Sequence, residues 1–153
     1  MTVRRYTVLA SIFVLAITAS AQEKKIERSL LPPAVEKAVR TETTGATIKG
    51  FAQEREHGKT FYEVETVLNG RTRDILFAVD GTVTEVEEEV PFDSLPADVQ
   101  AGLKRKAAGA PIDKVESLTK SGKLVAYEGH IKRNGKSGEI QVGPKGGNLA
   151  HEE

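Results

Sequence analysis

Few side chains in this sequence are equipped for chemistry, and their spacing is that of strands. There are three histidines, His57, His130 and His151, and no cysteine. The missing thiols exclude disulfides, thiol catalysis, cysteine metal sites and a lipid-modified cysteine. His57 stands in an expected turn and His151 near the end of the sequence, where solvated side chains are the rule. His130 is different, because it alternates with Glu128 and Lys132 across Gly129 and Ile131. A second run alternates Glu63 and Glu65 with Tyr62, Val64 and Thr66. Were these runs neighbours, two or three carboxylates and an imidazole would converge as ligands for a divalent cation. Strands routinely display alternate charged residues on a wet face. That simpler reading is preferred, so no metal ligand is assigned and no cofactor is expected. Ser94, Ser117, Ser121 and Ser137 have no histidine and acid placed to form a triad. The glycine-rich stretch from Gly143 to Gly147 precedes no helix whose N-terminus would hold a phosphate. The chain is therefore read as a non-enzymatic protein.

Composition narrows the class further. The 153 residues are 39% hydrophobic and 29% charged, the balance of a folded globular protein. Lysine plus arginine equal aspartate plus glutamate at 22 each, so nothing favours a nucleic-acid partner. The first 21 residues have the pattern of a bacterial secretory signal peptide. Arg4 and Arg5 precede an uncharged run from Thr7 to Thr18, and Ala19-Ser20-Ala21 offers the small residues of a cleavage site. The run is short for a bilayer core of roughly 30 Å. Removal of Arg4 and Arg5 would leave a slightly acidic mature protein, periplasmic or secreted, with no membrane span.

The elements that must position the charged residues follow from pattern. Residues 22–30 read as a flexible charged lead-in. Val35, Ala38 and Val39 give a short helix an apolar stripe behind Pro32-Pro33, and Gly45 ends it. Ala46 to Glu56 is an irregular strand, since Ile48 and Phe51 break the alternation, which predicts a bulge or an edge position. A period-two strand around Tyr62 to Leu68 meets Asn69-Gly70, a strong hairpin signal. Asp80-Gly81 makes another turn, and Val83 to Val90, with Glu85, Glu87, Glu88 and Glu89, reads as a solvated edge strand. Residues 91–94 form a joint in which Asp93 or Ser94 caps a second helix carrying Val99, Leu103 and Ala107. Three more strands, 112–118, 123–133 and 136–142, precede a loose polar tail.

Landmarks in the two halves keep the same order. Leu31-Pro32 returns as Leu95-Pro96, Gly45-Ala46 as Gly109-Ala110, Gly58-Lys59 as Gly122-Lys123, and Asn69-Gly70 as Asn134-Gly135. We read this as an internal duplication. The expected fold class is α+β, two tandem helix-plus-antiparallel-meander repeats at 31–90 and 95–147, with the helices packed on one face of a β-sheet. The covered face would use Tyr62, Val64, Ile75, Phe77, Val79, Tyr127, Ile131, Ile140 and Val142. The opposite face would present Phe61, Glu63, Glu65, Val67, Leu76, Glu128, His130 and Lys132 as a binding surface.

The residues that mark these turns and strands also resemble a known family. Leu31 to Val35, Gly45 to Ile48, Gly58-Lys59, Tyr62 to Val64 and Asp80 to Val83 look like the PepSY domain. The tandem exported arrangement is similar to PepSY-like proteins grouped with the β-lactamase-inhibitor fold. The second half departs from the pattern, with Gly129 in place of a valine and Lys145 in place of an aspartate. The resemblance implies a cell-envelope or secreted protein-binding module, with a peptidase as the kind of partner it inhibits or regulates. The other reading of the same face is a small-ligand or metal-responsive envelope protein.

Overall fold

Proline, small loops and apolar spacing place the elements of the chain. The structure, a computed structural model, describes residues 22–56, 58–151 and 153. The signal-peptide segment and His57 therefore lie outside the described residues. The strands are β1 (Gln22–Lys25), β2 (Thr47–Glu56), β3 (Lys59–Leu68), β4 (Arg71–Ala78), β5 (Val83–Glu89), β6 (Ile112–Lys120), β7 (Lys123–Arg133) and β8 (Lys136–Val142). Helices α1 (Pro33–Glu42) and α2 (Ala97–Ala107) interrupt them after β1 and β5. Both helices follow a proline, whose missing N–H costs nothing in the first turn. Neither Asp93 nor Ser94 caps α2. They belong to a single 3-10 turn, and the N-cap position is Pro96, without a side-chain hydrogen bond.

All eight strands form one antiparallel sheet in sequence order. The expected division into two tandem helix-plus-meander repeats is thus corrected: among the described residues the fold is mostly a single eight-stranded meander with two α-helices. The joint at 91–94 does not interrupt it, because β5 and β6 pair continuously from Glu85↔Lys120 to Glu89↔Glu116. For the same reason the acidic run in β5 is not an edge strand, since β4 flanks its other side. Three two-residue turns, Asn69-Gly70, Ser121-Gly122 and Asn134-Gly135, have positive φ at both positions. That geometry matches the twist of the strands it joins, as in type I′ hairpins.

Both helices cover the same face of the sheet. Val35 and Val39 of α1 are fully buried against Tyr62, Val64, Ile75 and Phe77. Val99, Leu103 and Ala107 of α2 pack on Val115, Ile131, Ile140 and Val142. Each large apolar side chain so buried stabilises the fold by roughly 1.5–3 kcal/mol. Two glycines let loops reach the helices. A Cβ on Gly81 would stand 2.6 Å from the Ala34 carbonyl oxygen, and one on Gly146 only 2.0 Å from that of Asp98.

Several local expectations change. Residues 22–25 are no flexible lead-in but a strand paired with Ala52–Arg55. The irregularity of β2 is a bulge between Ile48 and Gly50. Val79 is 59% exposed, because β4 ends at Ala78 and alternation stops there. The tail beyond β8 is tied down: Arg105 Nη2 donates to the Gly146 carbonyl, and the Glu153 N–H donates to Gln141 Oε1 at 2.7 Å.

Candidate functional site

The face of the sheet opposite the helices carries most of the chemistry. Strand alternation and register set its side chains out in rows. Glu63, Leu76, Glu85 and Lys120 follow one another across β3 to β6, and Glu65, Asp74, Glu87 and Leu118 form the next row. Glu89, Glu116, Glu128 and Gln141 make a third row across β5 to β8. Lys114, His130 and Glu139 make a fourth. Neighbouring strands stand about 4.8 Å apart, so each acid has others within direct electrostatic reach.

Two hollows open on this face. The larger, about 440 Å³, is lined by Asp74, Glu87, Lys114, Glu116, Glu128, His130, Glu139, Gln141 and Glu153. Its centre is Glu116, whose side chain is 2% exposed. Lys114 Nζ donates to Glu116 Oε1 at 2.8 Å, and Thr72 Oγ1 donates to the same oxygen at 3.2 Å. His130 Nε2 lies 2.6 Å from Glu116 Oε2 and 3.5 Å from Glu128 Oε1. Gln141 Nε2 donates to Glu128 Oε2 at 2.7 Å. Burial pushes Glu116 up, but the hydrogen bonds and charges of Lys114 and His130 outweigh it and hold its carboxyl below the usual range. Glu128 goes the other way, raised first by burial despite its bond from Gln141.

The smaller hollow, about 210 Å³, is lined by Glu54, Glu63, Asp74, Ile75, Leu76, Glu85 and Glu87. Among the described residues no basic side chain lines it, and Lys120 Nζ reaches Glu85 at 3.5 Å from its rim. Burial, then the charges of Glu54 and Asp74, push Glu63 up to about 8. Burial, then Glu128 and Glu116, push Glu87 to about 8 as well. Glu54 and Asp74 are also raised, chiefly by burial. Ionised together, these groups would repel one another in a partly desolvated setting, which favours their protonated forms.

All eight sequence-derived site residues sit on this face, but the structure does not gather them into one site. Glu128 and His130 belong to the larger hollow, Glu63 and Leu76 to the smaller. Four strand spacings, roughly 19 Å, separate β3 from β7, so the carboxylates of Glu63 and Glu65 do not join His130. Glu65 instead lies beside Asp74 and the β2 bulge, where Gly50 faces its carboxylate. Phe61 opposes Ala78, Val67 opposes Thr72, and Lys132 is exposed next to the β7–β8 turn, opposite Ser137. Sequence reasoning left Glu116 and Asp74 out of the site and placed Glu87 in the acidic run of β5; Asp74 and Glu87 line both hollows. Their parity within each strand was legible, whereas the strand order that sets them side by side was not.

Two chemistries are available to this arrangement. Ligand atoms of Glu116, Glu128 and His130 lie within 4.8 Å of one another, as do those of Asp74, Glu87 and Glu116, and those of Glu23, Glu63 and Glu65. Such groups can hold a cation, either a metal or the ammonium and guanidinium groups of a partner. The hydroxyls of Ser94 and Ser117 are engaged with the carbonyls of Pro91 and Glu88.

Comparison with known proteins bears on the fold. The chain is similar to a BLIP-like protein of Bacteroides fragilis, with 20% identity, a TM-score of 0.56, and coverage of 78% of this chain and 83% of that one. It is similar to a DUF2874 family protein of Bacteroides ovatus at 19% identity and a TM-score of 0.59, covering 77% and 84%. A protein assigned to the periplasm of Bacteroides eggerthii gives 18% identity and a TM-score of 0.62, covering 77% and 85%. No family model matches the chain, so the resemblance to PepSY is not confirmed, and no curated protein matches either. The architecture is that of these BLIP-like and DUF2874 structures. Among the described residues, no helix is long and apolar enough to cross a membrane.

Proposed function

We propose that this chain is an exported, non-enzymatic binding protein that takes up a basic segment of a protein partner on its open carboxylate face. The protein works in the periplasm or outside the cell; its signal-like start and the fold it shares with a protein assigned to the periplasm support this placement. The observation that carries the proposal is the cluster of half-buried acids, Glu63, Asp74 and Glu87, in a hollow that no basic side chain among the described residues lines. A structural network would supply its own counter-charges, as Lys114 and His130 do for Glu116. Lys120 pairs with Glu85 at the rim of the smaller hollow, and a lysine or arginine from a partner would be the complement of Glu63 and Glu87. The resemblance to PepSY extends this reading to a peptidase as partner, held or regulated by the module. The test is calorimetry with a tetralysine peptide at pH 7. Glu63→Gln with Glu87→Gln should weaken binding by about tenfold, roughly the share of two charge-assisted contacts. Unchanged affinity would place the interface elsewhere.

A second reading is favoured by one observation: the Glu116, Glu128 and His130 donors already converge. On this reading the larger hollow binds a divalent cation and the protein is metal-responsive. Zinc or calcium should then raise the melting temperature by mass action, and His130→Ala should abolish the rise for zinc. No shift with millimolar metal rejects it.

A further inference from the structure

Strand β8 ends the sheet, and part of its outer edge is open. The Asn134-Gly135 turn has φ of 52° and 75°, so Arg133 and Lys136 close a two-residue hairpin as a hydrogen-bonded pair. Alternation from that pair turns the backbone of Lys136, Gly138 and Ile140 toward β7 and that of Ser137 and Glu139 outward. Lys136 to Glu139 are all exposed, and no backbone hydrogen bond among the described residues uses that edge. Further along, Gln141 is buried and its Oε1 accepts from the Glu153 N–H at 2.7 Å. The open edge is therefore short, and Gly138 stands at its middle.

This edge is its own complement. A second copy, turned by half a revolution about an axis through Gly138 normal to the sheet, sets Ser137 opposite Glu139 of the second copy. Glu139 then faces Ser137 of that copy, and each pair exchanges both backbone N–H···O bonds. At the axis Gly138 meets Gly138 with no side chain between them. On the helix face Lys136 lies across from Ile140 of the second copy, where its aliphatic stem rests on apolar surface. On the open face Lys132 is exposed and stands opposite Ser137 in the β7–β8 register. It reaches over that small residue toward Glu139 of the second copy, two strand spacings or about 10 Å away between Cα atoms. The two Glu139 side chains become diagonal neighbours with a Lys132 on either side, a set of charges that sums to zero. Charge also fixes the register. A slide of two residues one way sets Glu139 directly opposite Glu139, and the other way makes diagonal neighbours of the two Lys136 side chains.

We infer that two copies of this chain join through their β8 edges into one continuous antiparallel sheet. Both carboxylate faces then look the same way, and Lys132 of the second copy arrives beside Glu139, which lines the larger hollow. The inference goes beyond the binding function proposed above and does not depend on it. Only a few backbone bonds hold the pair, so its Kd is expected on the order of 100 µM.

Sedimentation equilibrium from about 10 µM to about 1 mM protein tests it. Lys132→Glu or Glu139→Lys gathers like charges at the interface and should weaken the dimer by about tenfold or more. The double variant restores a neutral set and should recover the parent Kd to within about threefold. Gly138→Cys gives a second readout in a chain without cysteine. The two residues at the axis form a non-hydrogen-bonded pair about 4.5 Å apart between Cα atoms, close enough for a disulfide. A Cβ at Gly138 meets only Ile131, at 3.9 Å, so the site accepts the change. Under mild oxidation Gly138→Cys should become a covalent dimer, while Lys123→Cys, exposed at the start of β7, should stay monomeric. No dimer at about 1 mM, a dimer indifferent to both reversals, or equal cross-linking of the two cysteine variants overturns the inference. None of these results bears on the carboxylate-face function, which the tetralysine titration tests separately.

Discussion

The two hollows of the open face share Asp74 and Glu87, and the acids they bury apart from these, Glu116 and Glu63, shift in opposite directions. Both lie on alternate positions of adjacent antiparallel strands, and both bury carboxylates between neighbours of like charge. In the larger, Glu116 is the more deeply buried acid, yet its carboxyl is held low because Lys114 and His130 bond to it directly. Glu63 in the smaller hollow and Glu87 between the two are pushed up to about 8, by burial first and by neighbouring acids second. Burial raises all three; Glu116 differs because Lys114 and His130 bond to it directly, whereas the charges that act on Glu63 and Glu87 are those of other acids.

The largest effect that separates the two should come from deleting Glu116. Glu116→Ala leaves Lys114 and His130 facing a partly buried hollow without their anion. The loss should be about 3 kcal/mol, read from urea unfolding near pH 7, as for other broken buried pairs. A loss below about 1 kcal/mol would make the larger hollow no more cohesive than a surface ion pair.

Glu87→Gln should act with the opposite sign. It removes an acid that its surroundings keep protonated and substitutes a neutral group of the same shape. At pH 8.5 the variant should be more stable than the parent by about 1 kcal/mol, and near pH 5 the two should be indistinguishable. Equal stability at both pH values would mean that Glu87 is not strained by its neighbours.

The intact protein should show the same contrast in its pH profile. The folded values of Glu63 and Glu87 lie above the unfolded carboxyl value near 4.5, so the native state binds more protons between pH 4.5 and 8. Stability is then full at the acid end of that window and is lost as pH rises through 8. Glu116, held low, supplies stability that is present above pH 4.5 and lost as pH falls below it. A melting-temperature maximum should lie near pH 5, falling by about 5 °C at pH 8.5. A maximum above pH 7 would contradict the assignment of the smaller hollow. The smallest effect should be at the rim: Lys120→Ala breaks contacts of 3.5 Å to Glu85 and 3.4 Å to Glu153 between partly exposed groups. Its expected cost is below about 1 kcal/mol by thermal melts in moderate salt.

The sequence was informative where local chemistry decides the outcome. Asn69-Gly70 and Asn134-Gly135 specify their hairpins because both positions need positive φ. Val35 with Val39, and Val99 with Leu103, mark the buried stripes of α1 and α2 through helical spacing alone. The parity that puts Glu63, Glu65, Glu128 and His130 on the open face follows from period two. What the pattern did not carry was the long-range pairing. The β5–β6 ladder joins residues some 30 positions apart, so an acidic run that looks like a solvated edge becomes a central strand, and two expected repeats become one meander. Glu116 escaped notice for the same reason: within β6 it is one acid among Lys114, Ser117 and Leu118, and only β7 supplies its histidine. Glu23–Lys25 read as a lead-in because a short charged strand has no apolar alternation; its register comes from β2.

The proposed binding requires carboxyls that stay protonated until a cation arrives, and proton release on binding measures this directly. Titrating the tetralysine peptide into the protein at pH 7, in buffers of different ionisation enthalpy, gives the number of protons set free. Glu63 and Glu87, at about 8 in the free protein, should each give up most of a proton as lysines approach, for a total of about one to two. Binding with no proton released would contradict the account, for it would mean that the carboxylates of this face were charged before the partner came.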